Sequence, residues 1–222
     1  MGPPFGQAPS GAPVDLNDRG TFEIVAAGTS IGTEAFEIRA RSDQIEAQGT
    51  IHLQVERNGK KTEIRSATKL LLDRHLDPFS YTWNQQGEQS SRLSIDFRSQ
   101  PAQVHYKTVS GQDDLRDFTL DKDVIILDDN VIHHYQLAVA RFDQAKGGIQ
   151  SFRAFIPQEA MPGVVTLRCV GPESVTVGGN ERTLRHFVLA TELAQISLWV
   201  DDKGHLQLVE APDAQYQATR KQ

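Results

Sequence analysis

From Thr21 onward, apolar and polar residues alternate with a period of two along most of the chain, the pattern of strands with one buried and one solvated face. Phe22, Ile24 and Ala26 alternate with Thr21, Glu23 and Val25; beyond a turn expected at residues 29–32, Phe36, Ile38 and Ala40 alternate with Glu37, Arg39 and Arg41. The clearest stretch turns Ile45, Ala47, Gly49, Ile51, Leu53 and Val55 one way and Glu46, Gln48, Thr50, His52 and Gln54 the other. It ends at Asn58-Gly59, a dipeptide that tolerates the positive φ of a type I′ hairpin turn. Pairing across that turn sets Arg57 opposite Lys60, Glu56 opposite Lys61, Val55 opposite Thr62, Leu53 opposite Ile64 and Ile51 opposite Ser66, so the apolar faces coincide.

Further strands are expected around Phe79, Tyr81 and Trp83; Leu93, Ile95 and Phe97; and Ala102, Val104 and Tyr106. Helical spacing appears once. Val131, Ile132, Tyr135, Val139 and Phe142 predict a helix that opens at a capping residue among Asp128, Asp129 and Asn130, runs to about Gln144, and stops at Lys146-Gly147-Gly148. Strands resume at Phe152, Ala154 and Ile156, then Val165, Leu167 and Cys169, a turn at Gly178-Gly179-Asn180, and Phe187 and Leu189. Ile196, Leu198 and Val200 turn through residues 201–204 into Leu206 and Leu208, a second hairpin. The fold class is mainly β: a large curled antiparallel sheet, half-barrel or open barrel, with one principal helix packed on its concave side. So many twisted strands joined by short turns do not stay flat.

Composition adds boundaries. Residues 2–13 hold seven Pro or Gly and read as a disordered part of a leader spanning 1–20, ahead of a single antiparallel β domain over 21–222. A net charge of −6 without a basic block gives no nucleic-acid footprint, and no apolar run is long enough for a transmembrane helix. One cysteine excludes an intrachain disulfide and a Cys-rich zinc site. Cys169 falls on the inward parity of its strand, where a thiol acts as a small hydrophobe.

Candidate chemistry is sparse. Adjacent His133 and His134 diverge by about 100° on a helix and do not grip one metal as an i, i+4 pair does, so they read as solvated residues near the helix start and no metal site is expected. His52 and His205 occupy ordinary exposed positions. Asp121, Asp123, Asp128 and Asp129 read as charges that offset a helix dipole. No nucleophile elbow, phosphate loop or cofactor fingerprint is present, so no cofactor and no catalytic residue is assigned. The aromatic sets Phe79, Tyr81 and Trp83 on a strand, and Tyr135 and Phe142 on the helix, are candidates to line an apolar interior.

Three segments carry a resemblance: residues 28–36 (GTSIGTEAF), 127–158 (LDDNVIHHYQLAVARFDQAKGGIQSFRAFIPQ) and 196–212 (ISLWVDDKGHLQLVEAP). They are similar to a group of uncharacterised exported bacterial proteins, which in turn resembles the curled half-barrels of the lipoprotein carriers LolA and LolB. The resemblance implies a periplasmic or secreted protein, its signal peptide removed, with a hydrophobic ligand in the hollow of the sheet. The expectation is a non-enzymatic protein that binds a lipid or acyl chain through Phe79, Tyr81, Trp83, Tyr135, Val139 and Phe142. The alternatives are an enzyme on the same scaffold with a His/Asp site near residues 128–134, His133 or His134 acting as base with Asp128 orienting it, and an interaction module that receives a partner strand at a sheet edge.

Overall fold

The computed structural model describes residues 15–57, 59–87, 90–108, 110–111, 113–192 and 194–221. Residues 1–14 of the expected leader lie outside these residues, as does Asn58 of the first hairpin turn; residues 15–20 are instead part of the fold, the Asp15 N–H donating to the Lys203 carbonyl and Asp18 opening the first strand. The first half of the chain contributes β1 (Asp18–Ala26), β2 (Thr29–Ala40), β3 (Ile45–Arg57), β4 (Lys60–Leu72), β5 (Pro78–Gln86), β6 (Ser91–Asp96), β7 (Ala102–Thr108) and β8 (Asp113–Phe118). Then come β9 (Ile125–Ile126), α1 (His133–Ala140), β10 (Ile149–Ile156), β11 (Met161–Val177), β12 (Asn180–Ala190), β13 (Gln195–Val200), β14 (Leu206–Ala211) and β15 (Tyr216–Arg220).

All fifteen strands form one sheet. Its order runs from β8 back to β1, then β15, and from there back to β9. Each half is thus a meander, and the first and last strands join the halves antiparallel from Ala26 opposite Tyr216 to Phe22 opposite Arg220. The β3–β4 ladder has the register that the apolar pattern requires, including Val55 opposite Thr62 and Ile51 opposite Ser66. The β13–β14 hairpin forms as the sequence predicts.

The connectivity forces the curl. β8 and β9 are opposite edges of the sheet, so a flat array would hold them some fourteen strand spacings, about 67 Å, apart. Residues 119–124 alone connect them, a reach of roughly 25 Å at most. The sheet therefore bends until its edges meet, and they meet through side chains. The Phe118 ring lies 5.0 Å from that of Phe155, and the Tyr106 hydroxyl donates to the Pro157 carbonyl at 2.7 Å. Among the described residues no backbone ladder joins β8 to β9, so the sheet is open and not a closed barrel. Phe155, fully buried, is held on both sides of this seam because β10 lies against the opposite edge as well as against the core.

Helix α1 fills the concave side and touches strands from both halves: β2 through Glu34, β5 through Tyr81 and β14 through Leu206. It is shorter than the sequence suggests. It begins at His133 and ends at Ala140, with Ile132 as N-cap and Arg141 as C-cap, and no side chain of its own caps it. Asn130 takes φ +58° in the preceding turn, and Gly147 and Gly148 take positive φ well beyond the end. Phe142, just past the helix, packs on Phe187 at 5.4 Å. Arg141 closes the C-terminal end on the β4–β5 loop, 2.8 Å from Asp77 and 3.0 Å from the Leu76 carbonyl.

Two further corrections concern turns and strands. The first turn is at Ala27 and Gly28, both at positive φ, and residues 29–32 belong to β2. Gly32 is there for space: a Cβ would sit 2.0 Å from the His52 carbonyl oxygen. Strands β8, β9 and β15 escape the sequence pattern, since β8 (DDLRDF) and β15 (YQATR) are polar and β9 has two residues. Replacing Phe155 by Ala should destabilise the protein by about 3–5 kcal/mol in urea unfolding, because the cavity opens at both the seam and the core.

Candidate functional site

The inward-facing residues of β2 are Phe36, Ile38 and, two residues earlier, Glu34, whose side chain is fully buried. One carboxylate oxygen accepts the backbone N–H groups of Ile132 (2.8 Å) and His133 (3.1 Å), the first donors of α1. The other accepts His133 Nδ1–H at 2.7 Å. A helix start leaves N–H donors unpaired and carries partial positive charge, so an acceptor supplied from the sheet satisfies both demands where water is excluded. Glu34 thus does what the expected caps Asp128, Asp129 and Asn130 do not.

Gly49 on the adjacent strand makes room. A Cβ there would lie 2.8 Å from His133 Cε1, 2.9 Å from Glu34 Oε1 and 3.0 Å from Thr68 Oγ1.

His133 and His134 are both fully buried, which corrects the expectation of solvated side chains. The helix lies inside the curl, so its first turn has no wet face. The His133 ring stacks parallel on Phe36 at 5.9 Å and meets His134 edge-on at 4.8 Å. His134 Nδ1 accepts the Asp128 N–H at 3.3 Å, which places its proton on Nε2. Burial, with His133 adding to it, holds His134 well below the usual histidine range.

Asp128 does not orient either imidazole through its carboxylate. It accepts the Tyr81 hydroxyl at 2.5 Å and the Gln158 N–H at 2.9 Å. Burial raises the Asp128 carboxyl above its ordinary value, the two hydrogen bonds opposing. Burial, reinforced by Asp128, pushes the Tyr81 phenol well above 10. The Glu34–His133 pair has the form of an orienting carboxylate and a base, yet His133 Nε2 is enclosed without a hydrogen-bond partner, so the pair anchors the helix and faces no open site.

The six residues expected to line a hollow are divided. Tyr81 and Trp83 are buried on β5, Tyr81 against His134. Val139 and Phe142 are buried, Phe142 against Phe187 of β12, and Phe79 and Tyr135 are half-buried. Burial pushes the Tyr135 phenol up to about 12. Cys169 is half-buried against the core. His52, partly exposed, pairs with Glu63, and His205 lies 3.8 Å from Asp18.

Two adjoining clefts open where the β1–β15 ladder gives way. One, about 630 Å³, is lined by Arg19, Gly20, Thr21, Phe36, Glu37, Arg39, Arg220 and Lys221. The second, about 410 Å³, continues it along Asn17, Asp18, Arg19, Glu37, Ile38 and Arg39. None of the six sequence-predicted wall residues lines either. Arg220 is locked here by Asp18 at 2.6 and 2.7 Å and by the Arg19 carbonyl at 2.7 Å, and its guanidinium lies 5.4 Å over the Phe36 ring. A Cβ on Gly20 would strike it at 2.8 Å. No sequence signal reveals this site, because its cations come from opposite ends of the chain.

No family model and no curated protein matches the chain. A solved structure does: the crystal structure of a DUF1089 family protein from Pseudomonas aeruginosa, 14% identical, with a TM-score of 0.52 over 82% of this chain and 90% of that one. That likeness concerns the fold alone. No helix among the described residues is long and apolar enough to cross a membrane.

Glu34→Gln should cost about 1–3 kcal/mol in chemical denaturation, since one buried donor loses its acceptor. Gly49→Ala should cost a similar ~1–3 kcal/mol by overpacking, whereas Gly163→Ala on β11, with open space around its Cβ, should stay within about 0.5 kcal/mol. His134 binds its proton more weakly folded than unfolded, so its contribution is full above the unfolded value near 6.5 and is lost as pH falls, by up to about 1.4 kcal/mol per pH unit. Asp128 acts in the opposite sense, its contribution present below about 3.9 and lost as pH rises through its raised folded value. Denaturation of His134→Asn, which retains an acceptor, should show a flatter acid slope than the parent; equal slopes refute the assignment.

Proposed function

We propose that this chain is a non-enzymatic binding protein for a hydrophobic ligand such as a lipid or acyl chain, and that it works outside the cytoplasm, as the resemblance to the lipoprotein carriers implies. The supporting observation is the pair of clefts along β1 and β2. Their combined size suits a lipid-scale ligand, and they descend from a polar, open rim to Phe36 and Ile38, which belong to the buried core. The ligand is placed here and not against Phe79, Tyr81, Trp83, Tyr135, Val139 and Phe142, because α1 and its anchors occupy the concave side. Apolar burial at about 25 cal/mol per Å² would supply the binding energy.

Purified protein should carry lipid detectable by mass spectrometry of organic extracts, and should bind an environment-sensitive fatty-acid fluorophore. Phe36→Ser should weaken fluorophore binding by about tenfold or more. Absence of both co-purified lipid and fluorophore binding in the parent protein would rule the function out.

A further inference from the structure

The cleft along β1 and β2 is cationic in a protein whose net charge is −6. The wider cleft is lined by Arg19, Arg39, Arg220 and Lys221 against one carboxylate, Glu37. Two of those cations are already compensated: Arg220 by the bidentate Asp18, itself almost fully buried, and Arg39 by Glu37 at 2.7 Å through Nε. Arg19 and Lys221 are exposed, and among the described residues neither has an ion-pair partner, which leaves two positive charges in excess at the rim. Lys221 is fixed in place by its backbone, whose N–H donates to the Thr21 carbonyl at 2.8 Å, so it stays beside Arg19.

From this arrangement we infer that the cleft takes a phosphate group, with Arg19 and Lys221 as its counter-charges and Arg39 contributing the guanidinium nitrogens that Glu37 leaves unused. The inference rests on the reading of the cleft as a ligand site and names the ligand's polar end. A phosphomonoester, which carries close to two negative charges near neutral pH, matches an excess of two, and Arg and Lys side chains supply its oxygens with strong charge-assisted donors. Polynucleotide binding needs a longer track of uncompensated cations than two. The Arg220–Asp18 pair, stacked over Phe36, closes the inner side of the cleft. Phosphate chemistry can come from a lipid head group or from a soluble phosphate ester.

The test uses the full chain and the double variant Arg19→Gln/Lys221→Gln. Both positions are exposed, so the fold is retained, and Lys122→Gln, an exposed cation outside the cleft, serves as control. Inorganic phosphate followed by NMR or calorimetry should bind the parent and the control alike and the double variant about tenfold more weakly or worse. Sedimentation with phosphatidylcholine vesicles containing phosphatidic acid identifies the source: loss of vesicle binding in the double variant assigns a lipid phosphate, whereas phosphate binding without vesicle binding assigns a soluble ester. Either result upholds the phosphate site. Absent phosphate binding by the parent, or equal binding by the double variant, overturns it. Fatty-acid fluorophore binding by the parent separates the two conclusions: where it is present and phosphate binding is absent, hydrophobic-ligand binding stands and the phosphate site falls.

Discussion

The architecture depends on one covalent constraint: six residues connect the two edges of a fifteen-strand sheet. A meander of this size has edges that, left apart, would expose unpaired backbone to other chains. The short link between β8 and β9 brings those edges together, and the Phe118–Phe155 contact and the Tyr106 hydrogen bond hold them. Curling also creates the concave space, and the helix that follows β9 enters it because the link delivers the chain there. The helix is thus a consequence of the seam, not an independent element around which strands gather.

A helix in such a place creates an electrostatic problem. Its first N–H groups point into an apolar interior, where an unmet donor costs about 1–3 kcal/mol. Glu34 meets two of them and the His133 ring as well, and Gly49 leaves the space in which those groups converge. Asp128 and Tyr81 satisfy each other nearby, with His134 accepting the Asp128 N–H. The hydrogen bonds that Glu34, Asp128 and Tyr81 make beneath the sheet are those of anchoring, while Thr68 Oγ1, His133 Nε2, His134 Nε2, Gln136 Nε2 and the Tyr216 hydroxyl are buried without a partner among the described residues. The apolar groups around them pack into one core with the sheet.

Much of this was legible from periodicity. The β3–β4 register followed from Asn58-Gly59 and the coincidence of apolar faces, and the open curled sheet with one helix followed from strand number and turn length. Glu34 was also visible in principle: it shares the parity of Phe36 and Ile38, and a charged residue on a buried face calls for a buried partner. Gly49, in the same position on β3, marks the site of close approach. His133 and His134 misled because exposure of a short helix is decided by what wraps it, and the wrap is a property of the whole sheet. β8 was hidden by its polar composition, which an edge strand tolerates, and β15 by its five-residue length with Ala218 as its one fully buried side chain. Arg19, Arg39 and Lys221 could not be grouped, because their proximity depends on the pairing of the first strand with the last.

No ladder joins β8 to β9 among the described residues, and the β1–β15 ladder stops at Phe22 opposite Arg220; the two places differ in what lies there. At the β8–β9 seam, aromatic rings and a buried carbonyl close the gap, and the neighbouring groups are satisfied. At the β1–β15 junction the gap is occupied by Arg220, which borrows its partners from Asp18 and from the Arg19 and Leu206 carbonyls and lies flat over Phe36. That substitution closes the core from above without filling the space outside it. Arg19, Arg39 and Lys221 then border a cleft closed on its inner side by the Arg220–Asp18 pair over Phe36 and positively charged at its rim. Asp18 balances Arg220, whereas among the described residues Arg19 and Lys221 have no ion-pair partner, and that imbalance is why the proposed ligand is assigned to this junction and not to the concave interior.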